Sequence, residues 1–159
     1  MKHFLCAILV LALSSGGFTA GESFSSAQIM VKEGLGELIG EAPVEVQLAV
    51  YAANRIAGKP YKYSGGHGVW EDEGYDCSGA TSYVLHAAGL LKDARSSSGF
   101  LEYGEPGPGK WITLYVRAGH VFLVIGGARF DTTDHENIGP GWREKERLEG
   151  FVARHPKGF

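Results

Sequence analysis

Tyr75-Asp76-Cys77-Ser78-Gly79, followed further along by Gly119-His120-Val121, decides how this chain is read. Asp76 has the chemistry of a helix N-cap: its side chain is expected to accept a hydrogen bond from the amide of Ser78 or Gly79, so that a helix starts at Cys77 and runs to about Leu90. A cysteine attacks as its thiolate, a form favoured by the partial positive charge of a helix N-terminus and by a nearby imidazole. His120, opening a strand, is the imidazole that the pattern supplies.

Upstream, Pro60-Tyr61-Lys62-Tyr63-Ser64-Gly65-Gly66 leads into a loop carrying Trp70 and an acidic patch, Glu71, Asp72 and Glu73. Before it, Pro43 suits the first turn of a helix to about Ala57, with Val44, Leu48, Tyr51, Ala52 and Ile56 at helical spacing and Gly58 and Pro60 as the stop. Residues 22–42 mix apolar residues with glycines and read as a weak helix or a docking tether. Downstream of a Ser/Gly/Pro-rich connection over 95–109 the pattern turns to strands: Trp111 to Val116, His120 to Ile125, Ala128 to Thr132 and a closing Phe151 to Arg154, with Ala118-Gly119 and Gly126-Gly127 as tight turns. Helices first and an antiparallel sheet second predict an α+β fold, N-terminal helices packed on one face of a small antiparallel β-sheet.

A nucleophile and its base need a third polar group to orient the imidazole. Two neighbours compete on the next strand. Parity favours Thr132, which is an even number of residues from His120, and charge favours Asp131. A bulge at Gly126-Gly127 exchanges the two.

Composition frames these residues. The chain has 159 residues and two cysteines. Cys6 lies in a segment with the form of a secretory signal peptide over 1–21: a short basic start, an apolar run from Phe4 to Leu13 and small residues to Gly21, with cleavage after Gly21 or Ala20. That run is too short to span a bilayer, so stable membrane insertion is not expected. Residues 22–42 then form a lead-in and 43–159 one domain. An exported lone thiol has no disulfide partner within the chain; the plainer alternative for Cys77 is a small buried hydrophobe. A formal net charge of −3 gives no sign of a polyanion-binding surface, so no nucleic acid is expected as partner. His120, Asp131, His135 and Glu136 hold zinc-ligand chemistry, but without a paired-histidine helix motif and with Cys77 left idle, no metal is expected. His67, between glycines, reads as a loop residue, and His86 falls on the side of its helix opposite Cys77. Oligomeric state is not legible.

Over roughly Pro43 to Thr133 the chain resembles the NlpC/P60 family of papain-like cysteine peptidases that act on bacterial cell walls. Pro60-Tyr61 with Gly65-Gly66 is similar to the family's P-Y-x-x-G-G segment, Asp76-Cys77-Ser78-Gly79 to its nucleophile box and Gly119-His120-Val121 to its base strand, in the same order and spacing. The resemblance implies a papain-like fold, a catalytic domain over 43–159, Cys77 as nucleophile, His120 as general base, Tyr61 in the cleft where it helps polarise the scissile carbonyl, and Asp76, Ser78 and Gly79 beside the substrate. The family's third residue is usually His, Asn or Gln; Thr132 at the matching position departs from that pattern, leaving the role weak or moved to Asp131. The implied partner is peptidoglycan or its muropeptides, most often cut between the γ-carboxyl of D-glutamate and diaminopimelate, with no cofactor, by a protein secreted or periplasmic after leader removal. Two alternatives stand beside it: an amidase or acyltransferase on another γ-glutamyl or lipid amide, and a noncatalytic wall-binding module. Trp70, Trp111 and Trp142 read as core or rim packing ahead of a glycan cleft.

Overall fold

The computed structural model describes residues 28–133, 138–143 and 148–159; the leader at 1–21, together with His135 and Glu136, lies outside the described residues. The chain runs through a hairpin of β1 (Gln28–Lys32) and β2 (Leu35–Ile39), two helices, α1 (Val44–Ile56) and α2 (Cys77–Ala87), and a short 3-10 turn at Ser98–Glu102. Then follow β3 (Glu105–Pro106), β4 (Ile112–Arg117), β5 (His120–Ile125), β6 (Ala128–Thr133), β7 (Ile138–Arg143) and β8 (Val152–His155). The last six strands form one antiparallel sheet in the order β3-β8-β4-β5-β6-β7. The α+β arrangement matches the expectation from sequence.

From Gln28 onward, the described part of the lead-in is a β-hairpin, neither helix nor tether. Glu33 and Gly34 both take positive φ, 52° and 81°, and close a two-residue turn that pairs Lys32 with Leu35. Asn54 on α1 anchors this hairpin: its amide exchanges hydrogen bonds with Gly36 N and O, both 2.8 Å, while its Oδ1 also accepts from Trp142 Nε1 at 2.7 Å. Trp142 lies so close beneath Gly36 that a Cβ there would overlap the indole. The tryptophan is thus core, as its composition suggested.

Pro43 stands one position earlier than expected, as the residue that caps α1. The buried face of α1 also differs. Val44, Leu48 and Tyr51 are 59%, 42% and 63% exposed, and Val46, Ala49, Val50 and Ala53 are buried instead, beside Ala52 and Ile56, which are buried as expected. Two stripes at helical period overlap in this sequence, and the alanine-rich one wins because small side chains let α1 close on α2. α2 stops at Ala87, short of Leu90, because Gly89 turns left-handed at φ 73°. Its residues from Ser78 to Leu85 are all buried, which makes it the central helix.

β7 escaped the sequence reading, since Ile138-Gly139-Pro140-Gly141 has the composition of a loop. It is an edge strand, where a proline costs no ladder bond. Gly139 is required there: a Cβ would overlap the Lys59 carbonyl. Side chains of the sheet divide by alternation. Leu114, Val116, Val121, Leu123, Ile125 and Phe130 join the helices in the main core. Tyr115, Phe122 and Phe151 make a separate aromatic group on the other face, with Phe122 stacked on Tyr115 and edge-on to Phe151.

Candidate active site

The Pro60-to-Gly66 segment and the nucleophile box are held together backbone to backbone. Tyr61 and Tyr75 form a parallel bridge, Tyr75 N donates to the Pro60 carbonyl at 3.1 Å, and Lys62 N donates to the Tyr75 carbonyl at 3.3 Å. At the crossing, a Cβ on Gly79 would occupy the place of the Gly65 carbonyl oxygen, and one on Gly65 that of the Gly74 carbonyl. The spacing of glycines in the two motifs is therefore a packing requirement. Gly79→Ala is expected to destabilise the fold by roughly 3 kcal/mol or more, since the obstructing atom is backbone and cannot rotate away; denaturant unfolding measures this.

Asp76 caps α2 as its sequence position demands. Its Oδ1 accepts from Gly79 N at 2.7 Å, Ser78 Oγ at 3.0 Å and His67 Nε2 at 3.0 Å, and its Oδ2 accepts from Ser64 N at 3.1 Å. Three of these four bonds converge on Oδ1. Asp76 thus fixes where the helix, and with it the sulfur, begins. Gly79 lies behind the cleft wall, donating its amide to that cap.

The acidic patch is also committed. Glu71 pairs with Arg55 at 3.1 Å and accepts from the Tyr83 hydroxyl at 2.9 Å. Asp72 accepts from Lys62 Nζ at 2.6 Å and from the amides of Gly66 and Glu73, bonds that hold its carboxyl down at about 2. Two of the three carboxylates of the patch tie the loop to α1, α2 and the glycine segment.

Cys77 meets His120 at the rim of the sheet, where the first residue of β5 faces the start of α2. The thiol is half-buried, its Sγ 4.0 Å from the Gly119 carbonyl, and it lies near enough to the imidazole to raise the ring's proton affinity. On the far side of the ring His120 Nε2 donates to Asp131 Oδ1 at 2.9 Å. With Nε2 so engaged, Nδ1 is the nitrogen left to face sulfur. Asp131 is buried and Oδ1 also accepts from Thr132 N at 2.8 Å.

Asp131 therefore holds the position for which parity favoured Thr132, and no bulge at Gly126-Gly127 brings it there. Those two glycines form a two-residue turn that pairs Ile125 with Ala128, Val124 with Arg129 and Leu123 with Phe130. A turn of two residues makes facing partners differ in parity, so an odd separation places Asp131 diagonally across from His120 on the same face. The irregularity in this strand comes later, between Asp131 and Thr133. Thr132 points the other way, buried, with its Oγ1 making no hydrogen bond.

Burial opposes a charge on His120, but its hydrogen bonds to Asp131 and Cys77 and their negative charge outweigh burial and raise the imidazole from 6.5 to about 9. A folded-state value above the unfolded one gives stability that is complete below about pH 6.5 and is lost as pH rises through about 9. The amount is on the order of 3 kcal/mol. Urea unfolding between pH 6.5 and 9 is expected to show this decline, flattened in Asp131→Ala.

The thiol opens into a cleft of about 400 Å³ lined by Tyr61, Tyr63, His67, Asp76, Ser96 and Ser97. Tyr61 is where the motif places it, and Ser78 also contributes to the wall. His67 and the two serines were missed in the sequence. His67 Nε2 lies 3.0 Å from Asp76 and 3.1 Å from Ser78 Oγ, a contact across nine and eleven residues that no local signal announces. Ser96 and Ser97 stood in what read as a connection. His86 is an edge residue as expected, stacked on Trp70 with centroids 3.9 Å apart. Residues 28–39 contribute nothing to the cleft wall. Among the described residues no group of three or more His, Cys, Asp or Glu is placed to hold a metal, and no helix is long and apolar enough to cross a membrane.

Solved structures share this architecture. The crystal structure of the P60 domain of an antigen from M. avium subspecies paratuberculosis superimposes with a TM-score of 0.51 at 19% identity, over 71% of this chain and 96% of that one. A protein described as similar to lipoprotein, NLP/P60 family, from Staphylococcus aureus subsp. aureus Mu50 gives a TM-score of 0.53 at 20% identity. That match covers 73% of this chain and 42% of the other. Neither a family model nor a curated protein matches the sequence. The chain has the NlpC/P60 fold.

Proposed function

We propose that this protein is a cysteine hydrolase that cleaves an amide bond in peptidoglycan stem peptides. The observation that carries the reading is the line Cys77, His120, Asp131: a thiol at a capped helix start, beside an imidazole whose Nε2 is held by a buried carboxylate. Such a line is the apparatus of acyl transfer through a covalent intermediate. The NlpC/P60 fold supports the choice of a cell-wall amide, and the bond between the γ-carboxyl of D-glutamate and diaminopimelate is the proposed target.

The steps follow from these groups. The Cys77 thiolate adds to the scissile carbonyl carbon, and the oxygen takes up the negative charge within reach of the backbone amides at the start of α2, with Tyr61 at the cleft wall as a further polarising group. Collapse of this intermediate breaks the C–N bond. Imidazolium His120 gives its proton to the departing amine and a thioester remains. Neutral His120 then removes a proton from water, the hydroxide displaces sulfur, and the carboxylic acid leaves with Cys77 restored as thiolate. His120 must be charged in one half-reaction and neutral in the other. We place the reaction outside the cytoplasm, after removal of a leader over 1–21.

Mass spectrometry of purified muropeptides incubated with the protein or with its Cys77→Ala variant tests the reading. New fragments formed only by the wild type identify the bond. Their absence, with folded protein and a substrate that a known hydrolase cuts, overturns it in favour of another amide or a binding role.

A further inference from the structure

The His120–Asp131 pair has a neighbour that the chemistry above does not use. Arg129 lies two residues before Asp131 on β6, on the same face, and its Nη1 is 3.7 Å from Asp131 Oδ2. Asp131 Oδ1 serves His120 and the Thr132 amide, whereas Oδ2 is buried and makes no hydrogen bond. Both side chains are withdrawn from solvent, Arg129 10% and Asp131 0% exposed. The guanidinium lies 5.7 Å from the centre of the Phe122 ring, which the edge of Phe151 contacts, and Phe151 in turn meets His120 edge-on.

From this arrangement we propose that Arg129 is a positioning residue that sets the proton affinity of the His120–Asp131 pair. The inference rests on the Cys77–His120 reading. A buried carboxylate alone beside an imidazole holds the pair's proton strongly, and a base that never becomes neutral at working pH cannot activate water for thioester hydrolysis. A fixed positive charge on the carboxylate's second oxygen counters that hold, so the pair releases its proton at lower pH than it otherwise would. Among the described residues, the charges that face the ring are Cys77 from α2, Asp131 and Arg129 from β6, and Arg117 from β4, paired with His120 and lying over the Phe151 ring. Arg143, the partner of Arg129 on β7, is directed to the carbonyls of Gly139 and Trp142. Among the described residues, Arg129 is the cation that addresses the carboxylate itself.

The test is NMR titration of the His120 imidazole, its signal identified by loss in His120→Gln, in the wild type, Arg129→Met, Arg129→Gln and Arg129→Lys. The two uncharged variants are expected to raise the midpoint by about one pH unit, and Lys to keep it within about 0.3 unit. Muropeptide hydrolysis at pH 7 should then fall at least ~3-fold in the uncharged variants and recover toward pH 9.5, a shift of profile that loss of packing alone does not produce. Should Arg129→Met not fold, Arg129→Gln carries the same comparison. A midpoint unmoved in either folded uncharged variant overturns the proposal. The titration needs no substrate, so this failure is distinct from failure of the hydrolase reading; a wild-type midpoint near the ordinary 6.5 would overturn the pairing on which the proposal rests.

Discussion

Cys77→Ala is expected to fold as the wild type does and to lose hydrolysis of peptidoglycan fragments by at least ~10³-fold. The two halves of this expectation have separate causes. The start of α2 is fixed by Asp76, through its bonds to Gly79 N, Ser78, His67 and Ser64 N, and by the backbone contact of Gly79 with Gly65, none of which involves the sulfur. Removing a half-buried Sγ at the cleft rim opens no closed cavity, so the fold is expected to persist, less only the share of the His120 stabilisation that comes from Cys77. Catalysis falls because, among the described residues, the cleft holds no other thiol to form the acyl enzyme. His67 is the other imidazole of the cleft, and it is engaged with Asp76 and Ser78. The backbone donors at the helix start survive the substitution and account for any residual rate. Wild-type turnover in purified, folded Cys77→Ala would remove the thiol from the mechanism.

The parts of this site that were legible in the sequence are those whose cause is local. An N-cap and its helix are specified within four residues, and Asp76 with Gly79 matches the expectation in detail. Strands β4, β5, β6 and β8 were legible from alternation, the first three also from the turns at Ala118-Gly119 and Gly126-Gly127. What failed depends on how distant segments meet. The face of α1 was misread because two apolar stripes fit the same helix, and only contact with α2 selects the one with Ala49 and Ala53. β7 carries Gly139 because Lys59, eighty residues away in sequence, passes against its backbone. His67 entered the cleft through a bond to a cap that the sequence had located, but nothing near His67 in the chain points there. The third residue was open for a different reason: counting residues without the turn geometry assigns the wrong face, and a two-residue turn reverses that assignment.

The orienting role gives the second large effect. Asp131→Ala is expected to lower kcat by about 10²-fold to 10⁴-fold, and Thr132→Val to leave it within about twofold. Loss of the carboxylate takes away the acceptor that holds the His120 ring by Nε2, and leaves the Thr132 amide without its partner. The imidazole should then fall from about 9 toward its ordinary value, because the attraction that outweighed burial is gone. Asp131→Asn is a sharper probe than alanine. An amide oxygen can still accept from Nε2, but its NH₂ would then face Arg129; turning the amide relieves that contact and presents a donor to the ring, favouring the wrong tautomer. An intermediate loss of kcat is expected, with Arg129→Gln added to Asp131→Asn restoring part of it by removing the cation. Thr132→Val replaces a buried hydroxyl that makes no hydrogen bond with a methyl of similar size, so stability should be unchanged or slightly higher. Steady-state kinetics on one muropeptide, with thermal unfolding of each variant, separates these cases. Equal, near-wild-type rates in Asp131→Ala and Thr132→Val would leave the imidazole oriented by neither residue, and the buried Arg129–Asp131 pair would then serve stability alone.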